Sequence, residues 1–201
     1  MSDVLLEVTK NPAARGLIKT LGLPIPLPEP LARARAPWMA LPFERANIVV
    51  GGAGAPPGLL REIAGSLAEA GATIWVDASS GDGALAAFTE AGEAYARPAR
   101  PDSALQENAR IDALVFDAST LASAKDLQAL HAFFQSRIAR LKRCGRVVVL
   151  GRTISAGGAA PEVAATQAAL SGFGRSVAKE IGRKGSTANL LLVERGAEAR
   201  L

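Results

Sequence analysis

The chain has 201 residues, 49% of them hydrophobic, a formal net charge of +4 and a sequence pI of about 9.6. That length and apolar content suit one α/β domain with a sizeable core rather than two. No apolar run reaches the ~18 residues of a membrane span, and the N-terminus lacks the basic and then apolar pattern of a signal peptide. The single cysteine, Cys144, excludes an internal disulfide and fits a reducing cytoplasm. With one histidine beside it, no structural zinc set can be assembled. Aromatic residues make up 4% and do not interleave with the basic ones, which argues against a nucleic-acid platform. The arginine-rich excess suits an ordinary surface or an acidic partner such as an acyl carrier protein.

Residues 1–46 read as an arm. Asn11 caps a short helix with Pro12 at its first position, and Gly22 stops it. Residues 24–30 alternate proline with other residues, which favours polyproline extension, and Trp38 follows. Such an arm is a strap over its own domain or a docking segment for another, and the strap is preferred.

From Asn47 the hydrophobic period alternates. Asn47–Gly52 is a strand, Pro57–Ala70 a helix ended by Gly71, and Thr73–Asp77 a second strand. A short helix at 82–92 precedes a weak third strand at Glu93–Ala96 and a loop at 97–110. Ile111–Asp117 is a continuous apolar strand of the kind buried on both faces. A long helix over 123–142 carries Leu127, Leu130, Phe134, Ile138 and Leu141 on one stripe. Gly145–Gly151 is a fifth strand. The helix at 160–182 has Val163, Leu170, Val177 and Ile181 on one stripe and the small residues Ala164, Ala168, Ser171 and Gly172 on its flank, a face suited to close helix packing. Thr187–Val193 is a sixth strand. Strands alternating with helices at this spacing predict a doubly wound parallel sheet in three layers.

The turn after the first strand, Gly54-Ala-Pro-Pro-Gly58, has the shape of a dinucleotide-binding turn, in which glycines admit a pyrophosphate to a helix N-terminus. Leu60 stands where a third glycine is expected, and Pro56 and Pro57 have no N–H to offer an anion. Asp77 closes the second strand, where an acidic residue can hold a cofactor ribose or simply sit in a turn. Asp117 ends the fourth strand, at the carboxyl end where ligands bind in such sheets, and reads most simply as a cap or turn residue. His131 reads as a surface residue and Cys144 as a loop residue whose basic neighbour could lower its pKa.

These stretches resemble the short-chain dehydrogenase/reductase family from about Ile48 to Val193. Gly54-Ala-Pro-Pro-Gly-Leu-Leu is similar to its glycine turn, and Ile111-Asp-Ala-Leu-Val-Phe-Asp-Ala-Ser119 to the strand usually ending in Asn-Asn-Ala-Gly. Gly145–Gly151 resembles the strand leading to the catalytic serine, and Ala168–Glu180 the helix following the catalytic Tyr-x-x-x-Lys. On that resemblance the serine position falls on Arg152, the tyrosine on Val163 and the lysine on Gln167. Valine cannot donate a proton, glutamine carries no charge to lower a phenol's pKa, and the only tyrosine is Tyr95. No catalytic residue carries over, no cofactor is assigned to the chain, and Gly54, Gly58 and Asp77 remain as vestigial cofactor positions.

Residues 127–134, 143–149 and 168–176 resemble more particularly the degenerate, flavodoxin-like N-terminal domain of high-molecular-weight 3-oxoacyl-acyl-carrier-protein reductases of fatty acid biosynthesis. The resemblance implies a cytoplasmic, non-catalytic domain spanning 47–201 that precedes an NADH-dependent catalytic domain. Its expected partners are that domain or an identical subunit in a dimer, met through helices 123–142 and 160–182, and an acyl carrier protein, with no nucleic acid and no membrane. It also implies that one more helix and a seventh strand would follow residue 201, leaving an open sheet edge to be covered. The alternatives are an active NAD(P)-dependent dehydrogenase with an atypical site and a flavin-binding module.

Overall fold

The computed structural model describes residues 11–22, 29, 31–32, 37, 39–53, 58–154 and 159–201. Six strands form one sheet, β1 (Asn47–Gly52), β2 (Thr73–Val76), β3 (Arg100–Pro101), β4 (Ile111–Asp117), β5 (Leu141–Arg152) and β6 (Thr187–Val193), in the order β3-β2-β1-β4-β5-β6. Every pairing is parallel. The order reverses between β1 and β4, and in such sheets the crevice beyond the carboxyl ends of these two strands is the place for a ligand. The described helices are α1 (Pro12–Thr20), α2 (Leu60–Glu69), α3 (Asp82–Glu93), α4 (Leu127–Gln135) and α5 (Pro161–Ile181).

Two apolar layers follow from strand alternation. On one face Leu114, Phe116, Val147 and Val149 meet α4 and α5 through Phe133, Phe134, Leu170 and Val177. Phe116, Phe133, Phe134 and Phe173 form a chain of rings with centroids 5.0–6.2 Å apart. On the other face Val50, Ile74, Val115 and Leu150 meet α2 and α3 through Leu60, Ala64, Ala84 and Phe88. The three-layer, doubly wound architecture expected from the periodicity is the observed one.

Several boundaries differ from the sequence expectation. The weak third strand at Glu93–Ala96 does not form. Those residues close α3 in a turn, with the Arg97 N–H on Gly92 O at 2.8 Å and Ala96 at φ 53°. The third strand is instead the two-residue β3, paired with Trp75 and Val76. The helix expected over 123–142 is observed as α4, Leu127–Gln135, with side chains on its last carbonyls. Ser136 Oγ bonds Ala132 O and Phe133 O, and Arg137 Nη1 bonds Phe133 O at 2.9 Å. Leu141 belongs to β5 rather than to that helix's stripe. The register between β4 and β5 slips from Ile111↔Leu141 to Ala113↔Arg146, and the extra residues hold Cys144 at φ 58°. Ser186 staples the bulge, accepting from the Gly145 N–H and donating to Lys142 O. Cys144 is therefore a half-buried bulge residue.

Asn11 caps α1 as expected, accepting the Ala13 N–H at 2.9 Å, and Gly22 at φ 60° ends it. Residues 23–28 and Trp38 lie outside the described residues. The described parts of the arm lie on the amino-terminal rim of β5 and β6. Glu29 pairs with Arg15 at 3.5 Å and with Arg143, its N–H bonds Arg183 O, and Arg146 donates to Ala32 O. Through Glu29 and Ala32 the arm therefore touches its own domain. Nearer the domain, the Phe43 N–H bonds Ala70 O at 2.9 Å. At the far side of the sheet β6 is an edge, with Leu191 42% and Leu192 53% exposed.

Phe116, wholly buried at the centre of the ring cluster, sets an expectation for stability. Phe116→Ala should lower the unfolding free energy by about 3–5 kcal/mol in urea denaturation, with the slope m unchanged. A loss below about 1 kcal/mol would contradict the packing described.

Candidate functional site at the carboxyl ends of the strands

The crevice between β1 and β4 is built by residues that end these strands. Gly51 and Gly52 bring the β1 backbone so close to its surroundings that a Cβ at Gly51 would meet the Phe133 ring at 2.5 Å. Gly54 lies outside the described residues, whereas Gly58 is described and adopts φ 44°. A Cβ at Gly58 would overlap Asp117 Oδ2, so glycine is required here both by conformation and by space.

Asp117 is 3% exposed. Its Oδ2 accepts the Leu59 N–H at 2.5 Å and its Oδ1 the Ser119 N–H at 2.9 Å. Leu59 immediately precedes α2 and has no polar side chain of its own for capping. A carboxylate delivered by β4 thus takes the capping position, where the helix dipole favours negative charge. The cap role expected for Asp117 is the observed one, exerted across 58 residues of sequence as well as locally.

Asp77 is 8% exposed, and it caps the turn at Ala78–Ser80 from a buried rather than a solvated position. It accepts the Ser79 N–H and Ser79 Oγ–H, and Arg137 Nη2 lies 3.2 Å from its Oδ1. The same guanidinium pairs with Asp102 and stacks over the Phe133 ring at 4.6 Å. Arg137 was not identifiable from spacing, because it belongs to a helix end 60 residues away from Asp77. The only sequence signal was an arginine immediately following an otherwise apolar helix.

The three positions that the resemblance assigned to chemistry do converge. Arg152, Val163 and Gln167 line one cavity of about 210 Å³ together with Ser119, Glu194 and Arg195. Gln167 is 3% exposed and fully engaged. Its Nε2 donates to Ala118 O at 2.8 Å and Leu121 O at 2.9 Å, and its Oε1 accepts the Arg152 N–H at 2.9 Å. It ties the loop after β4 to the end of β5 and to α5. Val163 offers the cavity only methyl groups. Arg152 Nη1 is 2.6 Å from Glu198 Oε1. The Glu198 carboxyl is held below its ordinary value, first by its own backbone N–H and then by the Arg152 guanidinium. At the three positions that the resemblance assigned to chemistry the cavity thus has an ion-paired guanidinium, a valine and an engaged amide, with the Ser119 hydroxyl and the Glu194 carboxyl elsewhere on its lining. Tyr95 is exposed on the turn after α3, and His131 is exposed on α4. Among the described residues no group of His, Cys, Asp and Glu is placed to hold a metal ion, and no helix is long and apolar enough to cross a membrane.

No protein-family profile and no curated protein matches the chain. Solved structures do. A double mutant of a Serratia marcescens short-chain dehydrogenase/reductase superposes with TM-score 0.60 at 18% identity, over 75% of this chain and 74% of that one. A blue fluorescent protein from a metagenomic library, in complex with NADPH, gives 0.59 at 25% identity over 75% and 74%. The NADH-dependent reductase A1-R′, complexed with NAD, gives 0.62 at 15% identity over 81% and 88%. The fold is therefore the Rossmann-like fold of short-chain dehydrogenase/reductases.

Two expectations follow from this geometry. Gln167→Ala removes all three of these hydrogen bonds, leaving Ala118 O only the Leu121 N–H, and should cost about 2–3 kcal/mol in urea denaturation; a neutral outcome would mean that Gln167 is not a staple. Glu198 stabilises the fold above its unfolded value, and the contribution disappears as pH falls through the lower folded value. Melting curves should accordingly show Glu198→Gln less stable than wild type at neutral pH, the two converging in acid. A difference that persists or grows in acid would refute the assignment.

Proposed function

We propose that this chain is a non-catalytic Rossmann-like domain, the N-terminal part of a 3-oxoacyl-acyl-carrier-protein reductase acting in fatty acid metabolism in the cytoplasm. The supporting observation is the cavity lined by Arg152, Val163 and Gln167. Reducing a ketone requires a proton donor close to the developing oxyanion, and at the three positions where the resemblance places that chemistry the cavity has a methyl surface, a satisfied amide and an ion-paired guanidinium. The resemblance supplies the parent enzyme, which would bind NADH in its own catalytic domain. On this reading residues 1–46 form the arm and 47–201 the domain.

The work of such a domain is to fasten and position. The flank of α5 carries Ala164, Ala168, Ser171 and Gly172, none of them buried, so another helix can approach closely there. With α4 beside it, this face is the proposed contact for the catalytic domain or an identical subunit. The basic excess would draw an acidic acyl carrier protein toward the assembly.

A second reading, an active NAD(P)-dependent oxidoreductase with an atypical site, draws on structural neighbours that carry NADPH or NAD. Fluorescence titration with NADH and assay of a keto-thioester separate the two. The non-catalytic reading expects neither micromolar binding nor turnover by the purified chain. Turnover above the buffer rate that disappears in Arg152→Ala or Ser119→Ala would overturn it.

A further inference from the structure

We infer that the free edge of β6, with the groove beside it, is a docking site for an extended acidic segment of a partner protein, which joins the sheet as a further strand. β6 is the last strand in the sheet order, and its register with β5 runs from Thr187 to Val193 without a bulge. Its sequence, Thr-Ala-Asn-Leu-Leu-Leu-Val, contains no charge and no proline. Soluble proteins guard free strand edges with lysine, proline or bulges, and an edge with none of these devices is a template for another strand. The Val193 carbonyl accepts the Thr153 N–H on the β5 side. By alternation along the strand the backbone groups of Ala188, Leu190 and Leu192 point outward, where an added strand would bond them.

Charge decides the occupant. Between α5 and β6 lies a groove of about 200 Å³, lined by Ser171, Gly174, Arg175, Ala178, Ala188 and Leu190. Its small helix residues leave room for an apolar side chain on one face of an added strand, and Leu191, 42% exposed, offers apolar contact on the other. Arg175 is the charged residue of that lining, and Lys179, one helical turn further on, shares its stripe. Both are exposed, and among the described residues neither takes part in an ion pair. Arg183, exposed in the turn that precedes β6, extends the positive rim. The nearby acids do not offset it: Glu180 lies off the stripe by the helical period, and Glu194 lines the cavity at Arg152 instead. A second copy on this edge would bring the same cations to the same rim, where like charges repel. A wholly apolar strand would leave the cations without partners. A strand that alternates apolar with acidic residues meets both the leucines and the cations. The inference goes beyond the non-catalytic reading and does not rest on it, since none of the groove residues lines the cavity at Arg152, Val163 and Gln167.

The test uses the whole chain and three fluorescein-labelled peptides of the length of β6, in which leucine alternates with glutamate, with serine or with lysine. Fluorescence anisotropy should show saturable binding of the glutamate peptide, about tenfold or more tighter than that of the other two, and weakening as salt is added. The double variant Arg175→Glu, Lys179→Glu changes exposed positions only. It should bind the glutamate peptide about tenfold or more weaker and prefer the lysine peptide; an unchanged affinity would overturn the proposal. Leu192→Pro removes an outward N–H at an edge position that is 53% exposed, and it should abolish binding while β6 stays paired with β5. If Leu192→Pro does not fold, the charge-reversed variant still decides. Equal binding of the serine peptide would overturn the proposal in favour of an apolar strand such as a seventh strand of the sheet. A wild-type dimer on sedimentation that Leu192→Pro converts to a monomer would overturn it in favour of a second copy. Absence of saturable binding would overturn it outright. Keto-thioester turnover plays no part in these readouts, so the non-catalytic reading and this inference can fail separately.

Discussion

A buried carboxylate is tolerated only where its lone pairs are met, and the crevice of this protein is arranged around that constraint. Asp117 lies at the point where the strand order reverses, and its two oxygens tie β4 to the start of α2 and to its own exit loop. Gly58 has its conformation and its lack of a side chain because that carboxylate is there. The neighbouring polar groups follow the same rule. Asp77 is met by Ser79 and Arg137, and Gln167 by three backbone groups from two strand ends. Among the described residues no buried side-chain nitrogen or oxygen lacks a partner.

The sheet itself was largely legible in the amino-acid order. β1, β4 and β6 each carry an apolar run, Ile48–Val50, Ala113–Phe116 and Leu190–Val193, and α5 has Pro161 in its first turn. The failures have physical causes. β3 has two residues, too few to show any period. The end of α4 is decided by Ser136 and Arg137 turning back onto helix carbonyls, a competition that hydrophobic spacing does not register. The long β5 hides a bulge that only Ser186, a residue from the far side of α5, holds in place.

The candidate site was legible by halves. Spacing alone, read through the family resemblance, brought Arg152, Val163 and Gln167 to one cavity, and the structure joins them there. What spacing left out was the engagement of each polar group. Asp77 read as a turn residue or a ribose ligand, and its partner Arg137 comes from the opposite half of the chain. Asp117 read as a local cap, which it is, and the second oxygen's long reach to Leu59 depends on how β1 and β4 are registered. Sequence shows which groups are polar and which are small. Which of them are already spoken for is a property of the folded sheet.

Arg137 has a consequence for how the chain comes together during synthesis. Asp77 and Asp102 belong to the first half of the chain, and both pair with Arg137 from the second half. Their shared guanidinium arrives only after β4 and α4 have left the ribosome. Arg137 thus joins the two halves beside Phe133, the ring that covers β1 at Gly51. Such an arrangement couples the two halves into one cooperative unit and discourages the first from settling alone, which matters for a parallel sheet whose pairings are all distant in sequence.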